Sequence, residues 1–137
     1  MHPAEAITYE PFEEGHLGST IVLCRELSWP SYADPSNALR AFSAPGAVTW
    51  VAVSGTAVVG LAHLLTDGLI QAHLSLIGVL PDYRRKGLAR RLIGEAFGAS
   101  GAKWLDLAAE PGSEGFYRSF VHTEWIGFRI YPGEPAV

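Results

Sequence analysis

The segment Val79-Leu80-Pro81-Asp82-Tyr83-Arg84-Arg85-Lys86-Gly87-Leu88-Ala89-Arg90 joins the end of an apolar run to a basic turn and then to a helical apolar period. The first N–H groups of a helix have no partners within it, and the macrodipole is positive there, so such a turn suits a pyrophosphate. Gly87 lets the backbone approach the phosphates, Ala89 is small enough for the same purpose, and Arg84, Arg85, Lys86 and Arg90 add charge-assisted contacts. Cations at a helix N-terminus oppose the dipole unless an anion compensates, which disfavours a merely solvated basic turn. Neither G-x-x-x-x-G-K-S/T nor G-x-G-x-x-G occurs, so P-loop and Rossmann fingerprints are absent. The nucleophile elbow G-x-S-x-G is absent too. His2, His16, His63, His73, His122 and Cys24 have no metal-ligand spacing, and no metal is expected.

The charge distribution points the same way. The chain carries a formal net charge of −4, which argues against a general affinity for nucleic acid or anionic membrane. Residues 1–34 hold Glu5, Glu10, Glu13, Glu14, Glu26 and Asp34 against Arg25 alone. Arg84, Arg85, Lys86, Arg90 and Arg91, half of the 10 bases, crowd together with no acid among them. An acidic protein that concentrates its positive charge in this way is expected to hold a small anion there.

These residues need a scaffold, and 137 residues with 48% hydrophobic and 18% charged content suffice for one compact domain with a sizeable core. No segment approaches the ~18 consecutive apolar residues of a membrane span. Met1-His2-Pro3-Ala4-Glu5 has neither the basic nor the apolar region of a secretory leader. The single Cys24 forms no internal disulfide, so a reducing, cytoplasmic home is expected.

Ile7–Glu10 reads as a first strand, Leu17–Leu27 as a helix stopped by Trp29-Pro30, and Asp34 to about Phe42 as a second helix. Val48–Val53 and Val58–Leu65 read as strands joined by the turn Ser54-Gly55-Thr56. Asp67-Gly68 predicts a tight hairpin into a long strand from Leu69 to Val79. A helix follows from Gly87, with Leu88, Leu92, Ile93, Ala96 and Phe97 on one face, closed by Gly98-Ala99-Ser100-Gly101. Lys103–Ala109 predicts a strand, Glu114–Phe120 a short helix, Trp125–Tyr131 a last strand, and Pro132–Val137 a loose tail. The fold class is α/β (α+β) with a mixed sheet.

Val79-x-Pro81-x-x-Arg84-x-x-Gly87-x-Ala89 resembles the acyl-CoA-binding motif R/Q-x-x-G-x-G/A of the GNAT N-acetyltransferase superfamily. That family's order of elements matches this reading over nearly the whole chain, and the segment from Gly112 to Phe120 resembles its later helix motif. The resemblance implies a mostly antiparallel central sheet flanked by about four helices. It also implies two splayed parallel strands in the middle, here Leu74–Val79 and Trp104–Ala109, with the pantetheine arm of acetyl-CoA between them. Arg84, Arg85, Lys86, Gly87, Leu88, Ala89 and Arg90 would hold the pyrophosphate, and the backbone of Ile77, Gly78 and Val79 would orient the thioester. Gly78 either marks a bulge that turns N–H groups toward the thioester carbonyl, as in an oxyanion hole, or makes room for a neighbouring side chain.

Phe116 and Phe120 form an apolar stripe, and Tyr117 lies about 100° round from Phe116. Tyr117 is open to two readings, an amphipathic residue at a core edge or, as the resemblance implies, the general acid that protonates the departing thiolate. Many relatives place a glutamate in the strand before the motif, but Leu74-Ser75-Leu76-Ile77 has no carboxylate. His63 or His73 could serve as base, Ser75 could order a water, and Asp34, Glu26 and Glu110 are further candidates. The amine could also arrive neutral. Trp29, Tyr32 and Asp34 either hold a cationic acceptor or plug a helix end, with Asp34 as its cap.

The expected activity is transfer of a short acyl group from acyl-CoA to an amine of a small molecule or peptide. An acyl-CoA sensor of the same fold and an anion-binding interaction module are the rivals. Relatives often pair through their C-terminal strands, so a homodimer is plausible.

Overall fold

The computed structural model describes residues 6–135, so the leader reading, His2 and the last two residues of the tail lie outside the described residues. The chain forms two compact units, one up to Asp106 and one from Leu107.

The first unit runs β1 (Ile7–Pro11), α1 (Leu17–Glu26), α2 (Pro35–Phe42), β2 (Ala47–Ser54), β3 (Ala57–Thr66), β4 (Gln71–Val79), α3 (Leu88–Ser100) and β5 (Trp104–Asp106). The strands lie in sequence order in one sheet. β1 to β4 are antiparallel, and β5 joins β4 in parallel. The five-stranded, mostly antiparallel sheet with four helices is the expected mixed architecture.

Local chemistry sets the element ends. Ser28, at φ 59°, turns the chain out of α1. Asp34 caps α2 by accepting the Asn37 N–H at 2.9 Å, and Pro35 occupies the first helical position, where its missing N–H costs nothing. The β3–β4 connection is wider than the tight hairpin expected. The Asp67 carboxylate accepts the N–H groups of Leu69, Ile70 and Gln71 at 2.9, 2.8 and 3.2 Å, which draws Leu69 and Ile70 into the loop, so β4 starts at Gln71 rather than Leu69. Those same bonds hold the Asp67 carboxyl below its ordinary pKa. α3 runs on through Gly98 and Ala99 to Ser100 and stops at Gly101, whose φ is 74°.

The sheet has helices on both faces. Ile21, Leu23 and Cys24 of α1 and Ala38 and Phe42 of α2 pack with Val51, Val53, Val58 and Leu61. Leu88, Leu92, Ile93 and Ala96 of α3 cover the other face, where a Cβ on Gly60 would sit 3.1 Å from Leu92 Cδ1. Neighbouring residues of a strand face opposite ways, so Gly60 and Leu61 serve the two layers separately.

β5 is shorter than the Lys103–Ala109 strand expected. Its ladder with β4 has three rungs, Gln71↔Trp104, Ala72↔Leu105 and His73↔Asp106. Beyond His73, β4 continues to Val79, and among the described residues no strand pairs with that stretch on the β5 flank.

The second unit holds α4 (Glu114–Arg118). Phe116 meets Tyr117 and Phe120 edge to face, at 5.1 and 5.3 Å between ring centres. The helix stops before Phe120, and the stripe is half-buried rather than buried. The strand expected at Trp125–Tyr131 is not formed. Its alternation supplies a face to bury but no partner, and Trp125, Ile126, Phe128, Ile130 and Tyr131 are all exposed.

Candidate functional site

The site is assembled where β4 hands over to α3. In the β3–β4 ladder His63 pairs with Leu76 and Leu64 with Leu74, which leaves Ser75 as the extra residue of a bulge. The bulge therefore sits at Ser75, whereas Gly78 pairs regularly with Leu61. Gly78 instead makes room. A Cβ there would lie 2.6 Å from Leu27 Cδ1 and 2.8 Å from two ring carbons of Trp29. The second of the two readings for Gly78 is the correct one.

After Val79 the chain makes a single 3₁₀ turn over Pro81–Tyr83 and then extends at Arg84. The Arg84 Nε donates to the Val79 carbonyl at 3.0 Å, fastening the turn to the strand end. Arg85 takes the left-handed conformation at φ 61°, uncommon for a side chain of this size, and Gly87 takes it at φ 84°. Gly87 in the left-handed region followed by Leu88 in the right-handed helical one is the pairing of backbone angles that turns successive N–H groups to one side, an anion-binding concavity. Gly87 is the N-cap of α3 and brings no side chain to cap it. The opening N–H groups of the helix, from Leu88 to Arg90, thus face an end lined by exposed Arg85 and Lys86.

The cluster is not uniform. The Leu88 side chain is buried, so only its backbone faces the turn. Lys86 lies 5.8 Å from the Tyr83 ring centre. Arg91 leaves the group, stacking 4.6 Å from the Tyr9 ring centre and pairing with Glu95 at 2.8 Å. Gly87→Ala has space for its methyl group, since nothing lies within 4 Å. It is nonetheless expected to cost roughly 1–2 kcal/mol in urea-unfolding stability, because a Cβ resists the left-handed conformation.

The candidate bases are scattered. His73 is exposed and pairs with Asp106 across the sheet, beside a cleft of about 460 Å³ lined also by Thr66, Asp67 and Gln71. His63 is buried on the α1/α2 side. Its Nδ1 lies 2.8 Å from Thr49 Oγ1, and its ring meets Phe42 edge to face at 5.1 Å. Burial pushes its pKa down to about 4, so it stays neutral in this setting and is a core residue rather than an exchanging base. Glu26 is exposed, and Asp34 is engaged as a helix cap.

Trp29, Tyr32 and Asp34 part company. Trp29 and Asp34 line a cleft of about 510 Å³ with Cys24, Arg25 and Pro30. Tyr32 faces the core, stacked on Phe42 at 5.4 Å and 6.3 Å from His63. It belongs to the plug and not to the cleft. Arg25 also lines this cleft and was missed by sequence reasoning; α1 ends at Glu26 and Ser28 turns the chain before Trp29, so no helical spacing could have signalled it.

In the second unit Tyr117 is half-buried at α4. Burial first, and then the negative charge of Glu110, raise its pKa above the ordinary tyrosine value. The phenol therefore keeps its proton and can give it to a stronger base. Among the described residues no group of three or more His, Cys, Asp or Glu is placed to hold a metal, and no helix is long and apolar enough to cross a membrane.

A family model described as an acetyltransferase (GNAT) domain matches residues 45–120, more than half of the chain. No curated protein matches it. Among solved structures, an acetyltransferase of the GNAT family from Streptococcus pneumoniae TIGR4 is 29% identical, with 90% of this chain and 100% of that chain covered and a TM-score of 0.67. The aminoglycoside acetyltransferase AAC(6')-Iy, in complex with the bisubstrate analogue CoA-S-monomethyl-acetylneamine, is 20% identical over 93% of this chain and 99% of that chain, with a TM-score of 0.73. A ribosomal-protein-alanine N-acetyltransferase from Brucella melitensis biovar Abortus 2308 is 18% identical over 93% and 99%, with a TM-score of 0.74.

Proposed function

This chain belongs to the GNAT acetyltransferase family, and from that premise we propose that it moves an acetyl or other short acyl group from acyl-CoA to a primary amine of a small molecule or peptide. The observation that carries the reading is the turn from Arg84 to Gly87. It brings the opening N–H groups of a helix whose N-cap carries no side chain, together with exposed cations, to the end of a strand that, among the described residues, no other strand pairs beyond His73 on the β5 flank. A diphosphate fits the turn, because Gly87 presents backbone where any other residue would present a Cβ. The unpaired flank of β4 suits an arm that hydrogen-bonds like an added strand. The relative bound to a CoA-containing analogue supports the cosubstrate, and the two named acceptor classes among the structural neighbours support an amine.

In this reading Arg84 to Arg90 grip the pyrophosphate, with Arg84 setting the turn through its bond to Val79. The backbone of Ile77, Gly78 and Val79 orients the thioester carbonyl. The amine attacks that carbonyl carbon, the C–S bond breaks, and Tyr117 returns a proton to sulfur. The proton that the amine loses passes to water, which Ser75, the bulge residue, helps to order. His73 lies five residues before Gly78 on the extended strand, roughly 16 Å away, and beside the other cleft, too far to take it directly. Trp29 and Asp34 contribute an aromatic wall and a carboxylate to the acceptor cleft.

A second reading is a sensor that holds acyl-CoA without transfer, favoured by the absence of a carboxylate at Leu74-Ser75-Leu76-Ile77. Thiol release from acetyl-CoA across a library of amines separates the two. Release that depends on particular amines is expected, and binding without release by any amine would favour the sensor.

A further inference from the structure

We propose that Trp29 sets the length of the acyl group that the site accepts. The inference rests on the reading in which the backbone around Gly78 orients the thioester. The indole lies against Gly78 so closely that a Cβ there would stand 2.8 Å from two of its carbons, with Leu27 at 2.6 Å. Leu76, two residues earlier on the same strand, packs on the same α1/α2 side, as do Leu27 and Trp29. The side chains that meet β4 most closely at Gly78 are therefore apolar, a setting for a hydrocarbon rather than for a charged acceptor.

Trp29 also lines the 510 Å³ cleft that holds Arg25 and Asp34. One side chain thus separates the strand from the cleft. An acetyl group adds a single methyl beyond the carbonyl and leaves the indole where it is. A six-carbon chain leaving Gly78 on this side must displace it. Glycine at this position is what allows the ring to come so close, so Gly78 and Trp29 form one stop for the chain.

The test is calorimetric titration of CoA, acetyl-CoA and hexanoyl-CoA into the wild-type chain and into Trp29→Ala and Trp29→Phe, which needs no acceptor. The wild type is expected to bind acetyl-CoA at least 10-fold more tightly than hexanoyl-CoA. Trp29→Ala is expected to shift that ratio toward hexanoyl-CoA by 10-fold or more, in keeping with a few-fold per methylene made welcome. Trp29→Phe, which keeps a ring and serves if the alanine variant does not fold, should move the ratio in the same direction by less. Wild-type binding with the same ratio in both variants, or equal affinity of the wild type for the two thioesters, would overturn the role of Trp29 and leave the proposed function standing. A wild-type chain that binds none of the three compounds would overturn both.

Discussion

With phenylalanine in place of Tyr117, turnover of acetyl-CoA is expected to fall by about 10²-fold or more, while the dissociation constant for CoA stays within twofold. General acid catalysis typically contributes about 10²- to 10⁴-fold, and the substitution removes one hydroxyl while keeping the ring. The ring contact with Phe116 does not involve that hydroxyl, so packing is preserved. Burial and the Glu110 charge both raise the Tyr117 pKa, which keeps the acid form present to higher pH than for a solvated tyrosine. The alkaline limb of the rate profile should accordingly lie above the ordinary tyrosine value. Single-turnover kinetics and calorimetry on the same variant decide the matter. Parallel loss of turnover and CoA affinity would reassign Tyr117 to packing.

The second large effect is on stability. His63 is neutral in the folded chain with a pKa of about 4, against an ordinary value of 6.5. Between these values the unfolded chain binds more protons, so stability rises with pH across the window. The contribution is fully present above pH 6.5 and is lost as the pH falls through 4. The loss is expected to be on the order of 3 kcal/mol, read from urea midpoints at successive pH values. His63→Leu alone leaves the buried Thr49 hydroxyl without the ring nitrogen that lies 2.8 Å away, at a cost of about 1–3 kcal/mol. The pair Thr49→Val with His63→Leu removes both polar groups. It should recover most of that cost and flatten the acid side of the profile. A wild-type profile already flat between pH 6.5 and 4 would show that His63 is not held neutral by burial.

Both effects turn on residues whose types were legible and whose surroundings were not. Gly87, Ala89 and the basic turn could be read directly, because a strand end, a run of cations and a helical period follow one another within a dozen positions. Local pattern contains that information. Gly78 was legible only as a question. Whether a strand glycine marks a bulge or a close approach depends on what stands opposite, and the indole of Trp29 arrives from almost fifty residues away. The Ser75 bulge left no mark in composition, since it is a property of the pairing with His63 and Leu64.

Tyr32 and His63 show the same limit. An aromatic in a loop and a histidine in a strand have the composition of a binding site, yet they pack around Phe42 in the core. At Trp125–Tyr131 the alternation was right for a strand, but a strand also needs a neighbour, and the described residues give it none. Asp34 was legible only as a choice between cap and acceptor carboxylate, and its bond to Asn37, three residues on, makes it a cap; nothing local marked Asp67 as the acceptor of the N–H groups of three successive residues.

The most direct test of the central claim is the unfolding free energy of the wild-type chain and of Gly87→Ala in the presence of CoA, acetyl-CoA or inorganic phosphate. At about 100 times the dissociation constant, CoA is expected to add about 2.7 kcal/mol to the wild type. Phosphate at the same concentration should add far less, and Gly87→Ala should lose most of the CoA effect. Stabilisation by CoA no greater than by phosphate, or a full CoA effect in Gly87→Ala, would contradict the account.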